Sequence, residues 1–147
     1  MSVVVSGPPS GADGARLDLP LLRRRLRRLL AALGHARSEL SLALVDDPAI
    51  RHLNREWRGI DRATDVLSFS LLEGEQATRR GRLLGDVVVS VETAARQARR
   101  RHRSLDETVA RLVIHGVLHV LGHDHARPRE ARVMRAEERR LWRELRA

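Results

Sequence analysis

The sequence contains no cysteine, no tyrosine and no lysine, and its only aromatic residues are Trp57, Phe69 and Trp142. The lack of cysteine excludes disulfides, thiolate metal sites and a cysteine nucleophile, so any bound metal must be held by histidine or carboxylate and stability must come from packing. No apolar run approaches the roughly 20 residues that a bilayer-spanning helix needs. The stretch from Met1 to Arg16 has a three-valine run without a basic lead, which fits neither a signal peptide nor a membrane span. A soluble cytoplasmic protein with no membrane partner is expected. With so few aromatics, and two of them fitting core stripes, base stacking is expected to contribute little to any nucleic-acid contact.

Positive charge is abundant. The net charge is +9, the pI is near 11.6, and all 28 basic residues are arginine. Such a balance favours an anionic partner, of which nucleic acid is the commonest for a small basic protein. Exclusive use of arginine also has the look of a bias across the whole chain, so charge by itself leaves a merely solvated basic surface open.

The 147 residues suit one domain, 1–147, with a single core. Val3 to Val5 read as a short strand and Gly7 to Gly14 as a loop. Asp18 and Pro20 open a helix whose Leu22, Leu26, Leu29, Leu30 and Leu33 recur at helical spacing up to Gly34. Leu40, Leu42 and Leu44 alternate as in a half-buried strand. Asp46, Asp47 and Pro48 then start a helix with Ile50, Leu53 and Trp57 as its apolar stripe, ended by Gly59. Val66–Phe69 and Asp86–Ser90 read as strands around a polar loop, Glu73–Arg82. A helix over Val91–Arg101 follows, and Ser104 with Glu107 forms a capping box for another that runs to about Leu121. The last helix starts near Pro128, with Ala131, Met134, Leu141 and Leu145 facing inward. Glu138 lies in that stripe, where partial exposure or an arginine partner would account for it. The expected fold is α/β (α+β): one domain with a mixed four-stranded sheet and about five helices.

Four of the seven histidines fall between His115 and His125. His115 and His119, four apart on a helix, share one face and stand about 6 Å apart along the axis. Gly122 can turn the chain out of the helix so that His125 swings back towards them. Three imidazoles with an open fourth position are the donor set of catalytic zinc, which lowers the pKa of a bound water to roughly 7. His123 points elsewhere, towards the surface or a pocket wall. Asp124 is placed either to accept a hydrogen bond from a ligand histidine or to cap the turn.

The spacing HxxxHxxGxxH is shared with metzincin peptidases, whose first histidine is followed by the glutamate that serves as general base. Gly116 occupies that place here, which counts against peptide hydrolysis. Written as HGxLHxxGxDH, the segment resembles the signature of the YbeY endoribonuclease family. Leu53–Arg58 followed by Thr64–Phe69 is similar to that family's second signature, and Leu84-Gly85-Asp86 to its third, so the likeness runs in order from Leu53 to His125. Two departures are Ser70, where a proline commonly stands, and His123, where tyrosine is more usual.

The resemblance implies zinc on His115, His119 and His125, cleavage of single-stranded RNA, and action on ribosomal RNA, including maturation of the 16S 3′ end and ribosome quality control at the small subunit. It also implies a role for Arg58 in cleavage, which agrees with the planar, permanently charged fork that a guanidinium offers a phosphate. A solvated helix end would favour an arginine there too. Thr64 and Asp65 serve either as a turn or to position Arg58 or the substrate. The nucleophile is either a metal-activated water or the ribose 2′-OH. A ribosome-associated assembly factor with structural zinc is the alternative from another class.

Overall fold

A computed structural model describes residues 2–6, 16–72, 81–124 and 126–146. The expected loop at Gly7–Gly14 and most of the polar segment Glu73–Arg82 lie outside these residues.

The elements follow in the order β1 (Ser2–Ser6), α1 (Leu19–Ala32), β2 (Glu39–Val45), α2 (Asp47–Arg58), β3 (Val66–Ser70), β4 (Leu83–Ser90), α3 (Val91–Arg100), α4 (Leu105–Val120) and α5 (Pro128–Arg146). The strands form one mixed sheet in the order β1-β2-β4-β3. β1 runs parallel to β2 and β2 parallel to β4, whereas β3 pairs antiparallel with β4 and forms one edge.

Local chemistry sets the element ends. The Asp18 carboxylate accepts from Leu21 N–H and caps α1, and Asp46 does the same for α2 through Ala49 N–H. Gly59 ends α2 in the left-handed conformation, at φ 70°. α4 closes with Gly122 N–H bonded to His119 C=O and His123 N–H to Leu118 C=O, a pattern that turns the chain sharply out of the helix. The Ser104 hydroxyl caps α4 by accepting from Glu107 N–H. Contrary to the expected reciprocal box, the Glu107 carboxylate is turned to Arg111, at 2.8 Å, and Arg103, at 3.6 Å. Two basic neighbours outcompete a backbone N–H for it.

β4 begins at Leu83, three residues before the expected Asp86. Gly85 lies within the strand: a side chain there would collide with the Phe69 carbonyl of β3, so the glycine permits close strand approach.

The two faces of β4 feed different clusters. Val87 and Val89 join Leu26, Leu29 and Leu30 of α1, Leu40, Leu42 and Leu44 of β2, and the buried face of α4. Val88 faces the other way and packs with Ile50 of α2 and Leu67 of β3. Each fully buried leucine contributes about 1.5–3 kcal/mol. α4 and α2 therefore cover opposite faces of the sheet, and β3 is the rim between them.

One expected core residue is not in the core. Trp57 of α2 is 67% exposed, whereas Ile50 in the same stripe is fully buried. The apolar stripe outruns the sheet it packs on, and its last member stands beyond the edge.

Candidate active site along the edge strand

A cleft of about 670 Å3 runs along β3, lined by Thr64–Ser70, by Trp57 and Arg58 from the end of α2, and by His115 and His119 from α4. It is assembled from both faces of the sheet and the edge between them.

The histidine pair depends on how closely α4 approaches β3. A Cβ on Gly116 would lie 2.8 Å from Val87 Cγ1, 3.1 Å from Ser68 Oγ and 3.3 Å from Val66 Cγ2, so only glycine fits without displacement. Position 116 points into the sheet. A glutamate there would be driven into Val87, Ser68 and Val66, which gives the missing peptidase base a steric cause.

Two serines that sequence reading passed over fix the register of this contact. Ser68 Oγ donates to Gly116 C=O at 3.0 Å and Ser70 Oγ to Val120 C=O at 2.8 Å. Residues two apart on a strand thus meet carbonyls four apart on a helix, matching the two periodicities. The Ser-x-Ser alternation was the available signal, and Ser70, a departure from the family's proline, has this bond as its local role.

The rings of His115 and His119 have centroids 4.7 Å apart at 70° to one another. Two imidazoles on one tetrahedral ion, with metal–nitrogen bonds of about 2.0–2.1 Å, would have centroids roughly 5 Å apart, so this pair fits a shared metal. His115 Nδ1 lies 3.5 Å from Glu138 Oε2 of α5. The carboxylate in the α5 stripe is partly exposed, one of the two expected explanations for it, and its partner is a histidine rather than an arginine. An imidazole whose Nδ1 faces a carboxylate presents Nε2 to a metal as the more basic nitrogen. Only the lone carboxylate among apolar positions marked Glu138 in the sequence. His125, the third expected ligand, lies outside the described residues, among which no group of three or more metal-binding side chains occurs.

Arg58 sits in the last turn of α2 and lines the cleft with the histidines. One turn earlier, the buried Asn54 ties the loop after α2 back to the helix: its Nδ2 donates to Arg62 C=O at 2.9 Å and its backbone carbonyl accepts from Ile60 N–H. Thr64 and Asp65 also line the cleft. The Asp65 carboxylate accepts from Gln97 Nε2 at 3.0 Å and from Val66 N–H at 2.7 Å, and its carbonyl accepts from Ser90 N–H. Those bonds tie the start of β3 to β4 and α3. Asp124 and His123 instead line a separate depression with Gly122, Arg129, Glu130 and Val133.

The sheet domain and its cleft, with paired imidazoles beside a guanidinium, define a small α+β hydrolase. Comparison with known proteins narrows the class. Residues 19–146 match the model of the family described as endoribonuclease YbeY. Proteins of that name from Anaeromyxobacter sp. (strain Fw109-5) and Anaeromyxobacter dehalogenans are 51% and 50% identical over 92% and 95% of this chain, and the matches cover 67% and 69% of those proteins. The Geobacter metallireducens protein of the same name is 43% identical, with 86% and 85% covered. The solution structure of TM1509 from Thermotoga maritima shares the fold at a TM-score of 0.66, with 24% identity over 99% of this chain and 89% of that one. The chain belongs to the endoribonuclease YbeY family.

Proposed function

We infer that this protein is a zinc-dependent endoribonuclease that cuts single-stranded RNA in ribosomal RNA processing, including maturation of the 16S 3′ end and quality control at the small ribosomal subunit. The cytoplasm is its expected compartment, and no described helix is long and apolar enough to cross a membrane. The observation that carries the reading is the meeting of Arg58 with His115 and His119 in one cleft, although they come from opposite faces of the sheet.

In this reading His115, His119 and His125 hold the zinc, with Asp124 beside the third ligand. When bound, the ion supplies Lewis acidity and lowers the pKa of a coordinated water to about 7. Glu138 orients His115 and holds the proton on its Nδ1. Arg58 grips the phosphate through its planar fork and offsets charge that develops there, in a cleft where such a contact is stronger than in water. Thr64 and Asp65 hold the strand entrance that faces Arg58.

The test is zinc content of the purified protein together with cleavage of single-stranded RNA and of casein, repeated with His119→Ala. Joint loss of zinc and RNA cleavage in the variant is expected. Bound zinc with neither activity would replace the enzyme by an assembly factor, and casein cleavage would replace the nuclease by a peptidase.

A further inference from the structure

The exposed ring of Trp57 has no role in the site as described so far. Among the described residues it and Val133 on α5 are large hydrophobic side chains left exposed. An indole is the largest apolar side chain, and leaving it in water forgoes more burial energy than any other residue would. Its place is specific. It precedes Arg58, lines the cleft that holds His115 and His119, and meets the Phe69 ring edge-on, with centroids 6.0 Å apart and planes at 68°. Phe69 thereby props the indole from β3 while most of the ring's surface stays open to water.

An unpaired nucleobase has the chemistry to cover it. A base has a π-face whatever its identity, and strand-tracking proteins combine cationic groups for the phosphates with aromatic faces for the bases. Trp57 and Arg58 provide one of each on consecutive residues. Bases inside a duplex are already stacked on their neighbours, so such a platform discriminates for single strands without reading sequence.

We propose that Trp57 is the stacking platform for an unpaired base adjoining the phosphate held by Arg58, and that it sets the preference of this site for single-stranded RNA. The proposal rests on the endoribonuclease reading and names a contact to substrate within it. It also reverses the expectation that stacking contributes little.

Fluorescence offers a direct probe, because the second tryptophan, Trp142, is buried with the guanidiniums of Arg25 and Arg111 within 5.0 and 5.1 Å of its ring. Titration of the full chain with a single-stranded oligoribonucleotide should quench Trp57 emission. Trp57→Ala should weaken oligonucleotide affinity by roughly 5- to 150-fold, the range of one base–aromatic stack, and Trp57→Phe should recover most of it. Polyphosphate, which has the charge without bases, should bind the wild type and Trp57→Ala alike, and the zinc content of both should match. Unchanged oligonucleotide affinity in Trp57→Ala, or an equal loss towards polyphosphate, overturns the stacking role while wild-type cleavage leaves the nuclease reading intact. A wild type that neither binds nor cuts RNA overturns both.

Discussion

Replacing Gly116 by alanine sets two known effects against each other. In an ordinary helix interior, glycine to alanine stabilises by about 1 kcal/mol because the backbone loses less freedom on folding. Here the new methyl would lie 2.8 Å from Val87 Cγ1, and Val87 is fully buried between strand and helix with nowhere to move. Overpacking of this kind costs about 1–3 kcal/mol, so a net loss of up to about 2 kcal/mol is expected. The strain should lift α4 away from β3, stretch the Ser68 and Ser70 bonds to its carbonyls, and shift His115 and His119 relative to Arg58. RNA cleavage should therefore fall along with stability. Urea unfolding of Gly116→Ala, Val87→Ala and the double variant tests this as a cycle, with the smaller side chain at position 87 expected to relieve the added methyl. A Gly116→Ala protein about 1 kcal/mol more stable than wild type would show that the helix and strand are not in tight contact, and would refute the reasoning.

Two further outcomes follow from side-chain contacts. Glu138→Gln keeps the shape but removes the negative charge facing His115, and apparent zinc affinity should fall by about 10- to 100-fold in chelator competition, with unfolding of the metal-free protein little changed; equal affinity would remove Glu138 from the metal's support. Burial by itself would raise the Asp47 carboxyl, but hydrogen bonds from Ser90, Thr93 and Arg96, with the charge of Arg96, outweigh it and hold the group below its ordinary value. A lowered folded-state value stabilises the fold above the unfolded pKa of about 3.9 and is lost as pH falls through the folded one. Asp47→Asn should thus be less stable than wild type at neutral pH, with a gap that narrows below about pH 4 in pH-dependent denaturation; a constant gap down to pH 3 would contradict it.

Helices and strands were legible where burial is one-sided. The leucine spacing of α1 and the alternation of β2 each describe an element with one fully buried face and one less buried face, and periodicity reports that directly. The pairing of His115 with His119 was legible for a similar reason, since the two need only one helical turn to come together. Trp57 was misread because helical spacing says which face a residue shares and not how far the opposing surface extends. Glu138 and the serines of β3 were missed as partners because their contacts join distant elements: α5 to α4, and a strand to a helix. Such pairings are set by packing angles between elements, which no local pattern encodes. Gly116 was noticed for what it is not, and its positive reason, the contact with Val87, needed the sheet.

The place of β4 between β2 and β3 has a consequence for when activity first becomes possible. Both neighbours of this strand precede it in the chain, so β2 can pair only with β1, and β3 with no strand of the sheet, until the polypeptide has been made past Ser90. Arg58 is synthesised early and the histidines late, and pairings of such long sequence separation form slowly and together. A growing chain therefore holds no fragment of a working cutter. The guanidinium and the histidines thus meet only once α4 lies against β3, which makes the complete cleft a product of the finished fold and not of any part of it.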